Sequence, residues 1–351
     1  MNCKKLPITK PPIIGYVVHA FPLSIIFNYD KCLPWFYNNY MQLVCHKGLQ
    51  NNFFDFFSLC MPIEDIQWVN SVYPGIPWLN THTMDNYLLI DCNIDIKQAI
   101  IHALKRENYM VCHLDEFYVP NRISFQKEHY FHENMIFGFD HHKKAFDILG
   151  FDHKGIFRSS TISYDLFDQA SSQLASNNHD LKFLHLKDDF IYALDLTCIK
   201  NGLRDYLNGE NSSQQYTIIR NPTHNYVYGM DIYNQLILYL KRLYNLAAVS
   251  DIRPFHLLWE HKKCMVLRIA YILAEYNETI TDLEEIHNTY LTIQQTSQSI
   301  RNLFLKYNLT RRGDIIERII PLLQDMCMKE KTILPKFISV IEGLEKRGNP
   351  K

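Results

Sequence analysis

The chain of 351 residues has no excess of either charge, no regularly spaced cysteines and no long apolar run, and each lack removes a class of function. Lys and Arg total 36 against 37 Asp and Glu, a formal charge of −1, and no long basic stretch breaks that balance. Nucleic acids and anionic membranes are held mainly through clustered positive charge, so neither is an expected partner. The cysteines stand at positions 3, 32, 45, 60, 92, 112, 198, 264 and 327, with no C-x-x-C pair and no Cys/His spacing suited to zinc. They read as free thiols of a reducing cytosol, and no metal site is expected. No uncharged run reaches the roughly 20 apolar residues of a membrane-spanning helix. Lys4 and Lys5 precede an apolar stretch, but Pro11, Pro12, His19 and Pro22 interrupt it and no small-residue cleavage site follows. No signal peptide is expected, and the location is expected to be cytoplasmic.

What is present is core-forming material. Hydrophobic residues make up 47% of the chain, and 22 Tyr with 21 Phe supply aromatic packing. At roughly 150 residues per domain the length suits two domains. The pattern predicts a mixed α+β domain over 1–228 and a helical bundle over 229–348. Residues 13–60 are apolar and aromatic, with Pro22 where a buried helix can begin, since proline is tolerated in a first turn. Residues 94–106 carry Ile96, Ala99, Ile100, Ala103 and Leu104 at helical spacing, and 108–114 read as a strand. Over 128–157, two apolar runs flank the polar turn Asp140 to Lys144, the signature of a β-hairpin. A Ser- or Thr-initiated helix follows in 161–174, then a strand and a helix in 188–207. After Gly229 four amphipathic stretches, the last ending at Glu330, predict antiparallel helices with short connections.

Chemistry is sought first among the 16 histidines, because imidazole suits proton transfer near neutral pH. His141 and His142 fall in the hairpin turn and read as solvated. His132 differs: it begins a buried strand that runs through Met135, Ile136 and Phe137 to Gly138.

The stretch from Asp115-Glu116-Phe117-Tyr118-Val119-Pro120, through His132 to Asp140 and Ala145 to Phe151, to Ile162-Ser163-Tyr164-Asp165-Leu166, resembles the β half of papain-like cysteine enzymes. It is similar to the leader-processing cysteine peptidases of bacteriocin exporters, and more closely to the family of the N-terminal domain of butirosin biosynthesis protein H. The likeness spans about residues 13–170 and rests on order and spacing. The helical tail looks like the extra domain of relatives encoded beside thiotemplated peptide assembly systems.

That resemblance implies a papain-like fold and a Cys-His-Asp apparatus. It implies an acyltransferase or amide synthase that moves an acyl group from a carrier-protein thioester to an amine. The expected partners are an acyl or peptidyl carrier protein, which brings its own phosphopantetheine arm, and a small amine; no bound cofactor is expected. A thiolate at a helix N-terminus beside imidazole has a lowered pKa and attacks a thioester, with backbone N–H groups stabilising the oxyanion. The family nucleophile follows a histidine at the start of the first buried helix. Here that place reads His19-Ala20, and alanine is no nucleophile.

Two readings of Ala20 stay open: a cysteine replaced by alanine to trap a substrate, or a natural pocket that binds without turnover. With a different alignment Cys3, Cys32 or Cys45 becomes the candidate thiol, although Cys32, between Lys31 and Leu33-Pro34, suits packing better than activation. The family's orienting acid falls near Gly150, with Asp147 before it and Asp152 after it. Asp152 is the choice, because it ends the strand expected beside that of His132 and can hold its tautomer. Asp115 and Glu116 either line the cleft or begin a loop; Asp115, Tyr118 and His19 are carried as candidate substrate-binding residues. Beside acyl transfer stand a noncatalytic carrier- or peptide-binding role and a leader peptidase. The tail bundle is free to dock the carrier, cover the cleft or form a homodimer.

Overall fold

The structure is a computed structural model that describes residues 1–57, 75–85, 88, 91–92, 94–172, 180–187, 191–215, 225–276 and 281–347. Cys60 and positions 188–190 of an expected strand lie outside the described residues. In chain order the elements are β1 (Cys3–Lys5), α1 (Val17–Ile26), α2 (Leu33–Asn39), β2 (Leu43–His46), β3 (Phe54–Phe56), β4 (Leu79–Met84), α3 (Ile96–Lys105), β5 (Asn108–Asp115), β6 (Phe131–Asp140), β7 (Ala145–Phe151), β8 (Phe157–Ser163), α4 (Tyr164–Ser171), β9 (Leu181–Leu186), α5 (Leu196–Asn208), β10 (Tyr226–Tyr228), α6 (Ile232–Tyr244), α7 (Arg253–Tyr276), α8 (Thr281–Thr310) and α9 (Gly313–Arg347).

The chain forms two compact units, one of Met1–Cys32 with Ser71–Ile191 and the other of Leu33–Asn70 with Tyr192–Lys351. This corrects the expected division after residue 228. The reason is a long-range pairing that no local pattern announces: β10 pairs antiparallel with β2, which pairs with β3, and this small sheet belongs with the helices.

The first unit is α+β. Its antiparallel strands run in the order β4-β9-β5-β6-β7-β8, with β1 added along the far half of β6. The hairpin expected in 128–157 is β6 and β7, closed by Asp140, whose Oδ1 accepts from the backbone N–H groups of His142 (2.9 Å) and Lys143 (3.2 Å). A Cβ at Gly138 would stand 2.7 Å from Asp147 Oδ2 and 3.0 Å from Lys4 O, so a side chain there must displace the Asp147 carboxylate. Helix α3 starts where Asp95 accepts from Gln98 N, and α4 where Ser163 accepts from Leu166 N. Both pack on β5 through apolar faces.

Helix α1 corrects the expected role of Pro22. The helix begins five residues earlier, at Val17, with Tyr16 O accepting from Ala20 N at 3.0 Å, so Pro22 lies inside it. Burial outweighs the proline's lost N–H: every residue from His19 to Ile26 is buried. Phe21 packs against Phe157 (ring centroids 6.0 Å), and each fully buried Phe contributes about 1.5–3 kcal/mol.

The second unit carries the helices expected after Gly229, with α5 and the small sheet. Helix α9 runs past the expected end at Glu330 and through Pro321 and Pro335, because Ile333, Leu334, Phe337, Ile338, Ile341 and Leu344 extend its buried stripe. Its core holds an ion pair, Lys262 Nζ to Glu330 Oε2 at 2.7 Å, both side chains 0% exposed. The hydroxyls of Tyr206 (3.1 Å) and Tyr233 (2.6 Å) donate to the same carboxylate oxygen, and that of Tyr290 (3.2 Å) to the other. Beside it His261 donates from Nε2 to Met41 O at 2.7 Å and accepts from Lys262 at Nδ1. Among the described residues no helix is long and apolar enough to cross a membrane.

Candidate active site

Strand β5 ends in Asp115, which caps the 3-10 turn Glu116–Tyr118. Its Oδ1 accepts from Phe117 N at 3.1 Å and from Tyr130 N at 3.2 Å, while Glu116 N donates to Tyr130 O at 2.8 Å. These bonds pin the turn to the start of β6, where the register sets Leu114 opposite His132. Glu116 therefore faces His132: its Oε1 lies 3.2 Å from the imidazole Nδ1. The Glu116 side chain is 6% exposed and that of His132 30%. In a neutral imidazole, a carboxylate at Nδ1 favours the tautomer with the proton on that nitrogen and the lone pair on Nε2. Nε2 has no hydrogen-bond partner among the described residues. Tyr130 stacks on the ring, centroids 5.7 Å apart at 25°.

Behind Glu116 lies a buried guanidinium. Arg122 Nε is 3.7 Å from Glu116 Oε1, and Asn134 Oδ1 accepts from Arg122 Nε (3.1 Å) and Nη2 (2.6 Å). Asn134 also donates to His132 O at 3.1 Å, so one amide ties the arginine to the histidine's own backbone. Burial pulls the Arg122 pKa down, and Glu116 and Asp152 oppose that pull. Gly150 closes the arrangement from β7. A Cβ there would meet Arg122 Nη2 at 2.8 Å and Asn134 Oδ1 at 3.3 Å. The guanidinium thus fills the space that a side chain at 150 would occupy.

Asp152 does not take the part expected of it. Its Oδ1 accepts from the N–H groups of Lys154 (2.8 Å) and Ile156 (2.9 Å), and it pairs with Arg158, so it caps the turn into β8, where Gly155 has φ +69°. Against desolvation, which raises it, the Asp152 pKa is held low by the N–H groups of Ile156 and Lys154 and by Arg158. The carboxylate hydrogen-bonded to His132 is that of Glu116. Asp147 pairs with Lys5 at 2.9 Å.

His19 and Ala20 are wholly buried in α1, each 0% exposed. Asp115 Oδ2 also accepts from His129 Nδ1 at 2.6 Å, in addition to the backbone bonds at Oδ1, so it forms a second carboxylate–imidazole pair. Tyr118 stands edge-on to Phe117 and 6.0 Å from the ring of His129. Of the alternative thiols, Cys3 is exposed on β1 and Cys32 buried. Cys45 belongs to the other unit, and burial pushes its thiol up to about 12.

Arg122, Asn134 and His129 escaped the sequence reading. Asn134 carried a usable signal, since residues two apart on a strand share a face and it follows His132 by two. Arg122 and His129 carried none, because a loop of irregular backbone folds them back. Among the described residues no group of three or more His, Cys, Asp or Glu can hold a metal ion. No protein-family model matches the chain and no curated protein matches it.

Proposed function

We propose that the chain is an acyl-transfer protein of the papain-like type, built to take an acyl group from a carrier protein's pantetheine thioester and deliver it to a small amine. The observation that carries this reading is the pairing of a part-exposed His132 with the buried Glu116, an imidazole whose tautomer is fixed and whose Nε2 is open. In such chemistry a cysteine at position 20 loses its proton to Nε2 and attacks the thioester carbon. The pantetheine thiolate leaves with that proton, and an amine displaces the acyl group from sulfur. With Ala20 the covalent step has no nucleophile, so the chain as it stands holds an acyl donor without carrying it on sulfur. Ala20→Cys tests the reading. A covalent acyl adduct on mixing with an acyl thioester, lost again on adding His132→Ala, supports it; the absence of any adduct refutes it.

A second reading, a noncatalytic acyl- or carrier-binding protein, draws on one observation. Position 20 is 0% exposed and packed as an alanine in the core of α1.

A further inference from the structure

Two histidines, not one, are held by buried carboxylates at this end of the sheet. Glu116 holds His132, and its neighbour Asp115 holds His129, with Oδ2 2.6 Å from Nδ1 and a carboxylate side chain only 2% exposed. The His129 ring stacks on Phe117, centroids 4.5 Å apart at 20°, which fixes its plane, while 56% of its side chain faces solvent. Its Nε2 has no hydrogen-bond partner among the described residues. Tyr130 links the two pairs: its N–H donates to Asp115 and its ring lies on His132. The other oxygen of Asp115 accepts from two backbone N–H groups, which fixes the orientation of the carboxylate.

A buried carboxylate that accepts from Nδ1 of a part-exposed imidazole is the arrangement of a general base. The amine must lose a proton as its nitrogen bonds to carbon, and a second oriented imidazole next to the start of β6 offers a place for it. Resting on the acyl-transfer reading above, we infer that His129, oriented by Asp115, is the base for the amine acceptor. The nitrogen lone pair forms the C–N bond and the nitrogen's proton passes to His129 Nε2. The C–S pair leaves as thiolate, which recovers a proton through solvent, so amide and thiol are the products. His132 keeps to the thioester side.

The test separates the two histidines by step. The Ala20→Cys protein is acylated with the butyryl thioester of N-acetylcysteamine, and the adduct is followed by intact-protein mass spectrometry before and after adding propylamine. Changing His129→Gln in that protein is expected to leave adduct formation within about two-fold and to slow its amine-dependent decay about 100-fold, the scale of general base catalysis. An adduct whose decay is indifferent to His129→Gln overturns the inference and leaves the acyl-transfer reading standing. Equal slowing of formation and decay also overturns it, because His129 would then act on the whole site. If no adduct forms at position 20 of the Ala20→Cys protein, the acyl-transfer reading fails and this inference falls with it.

Discussion

Replacing Glu116 by glutamine removes a charge while keeping the side chain's shape, so its effect isolates the electrostatics of the site. Arg122, 0% exposed, has its Nε 3.7 Å from Glu116 Oε1. Opposite charges about 4 Å apart attract by about 4 kcal/mol at an effective dielectric of 20, which is a ceiling and not a net contribution. Removing one member of a buried pair costs about 3–5 kcal/mol, chiefly because the other charge is stranded. Arginine does not shed its proton to escape, as a lysine can. Relief comes from Asn134 Oδ1, which keeps both its bonds to the guanidinium. A loss of about 3 kcal/mol follows, close to the low end of that range. Amides of β6 between Met135 and Phe139, deep in the sheet, then exchange with deuterium about 100-fold faster. Adding Arg122→Met removes the stranded charge and is expected to recover most of the loss, short of about 1 kcal/mol for the donors that Asn134 loses. A loss under about 1 kcal/mol for Glu116→Gln, or a double variant less stable than the single one, refutes the pair as a buried ionic support.

Gly150→Ala drives a methyl against Arg122 Nη2, 2.8 Å from its Cβ, and is expected to cost about 1–3 kcal/mol in the same exchange measurement; an unchanged rate contradicts the close approach. Burial pushes the thiols of Cys45, Cys112 and Cys264 up to about 12, so iodoacetamide at pH 8 followed by peptide mapping should label exposed Cys3 and Cys92 first. Equal labelling of all five rules that out. Burial, then Lys262 and Arg268, hold the His261 pKa well below its usual value, against the pull of Met41 O. Below about pH 6.5 the unfolded chain binds a proton there that the folded chain refuses, so stability falls with pH by up to about 1.4 kcal/mol per unit. Urea midpoints at pH 7.5 and 5.5 should show the fall, and His261→Gln should flatten it; an equal fall in that variant assigns it to other groups.

Local patterns carried the sequence reading a long way. The β6–β7 hairpin was legible because a polar turn separated two apolar runs, α3 and the tail helices because apolar residues recur at helical spacing, and α4 because a Ser or Thr stands where it starts. What failed was long-range or irregular. Pro22 was read as a helix start because the carbonyl of Tyr16, which opens α1, carries no composition signal. Helix α9 outran its expected end because proline's local cost gave way to a continuing buried stripe. The division of the chain depended on β10 finding β2 across some 180 residues of sequence. At the site, His132 was legible from its strand, whereas its carboxylate was sought at the end of β7 and lies just after β5. A strand-end aspartate looked better placed than a loop glutamate. The 3-10 turn after β5 reverses that order by swinging Glu116 onto Nδ1, while Asp152 is consumed by its own turn.

In the proposed function, His132 and Glu116 form an acid–base pair that serves an acyl thioester at position 20. Intact-protein mass spectrometry of the Ala20→Cys protein after mixing with acyl thioesters tests it most directly, with the Ala20 chain and the Ala20→Cys/His132→Ala protein as controls. One acyl adduct, mapped to residue 20, is expected in the Ala20→Cys protein alone. No adduct with any thioester, or an adduct that forms equally fast without His132, contradicts it.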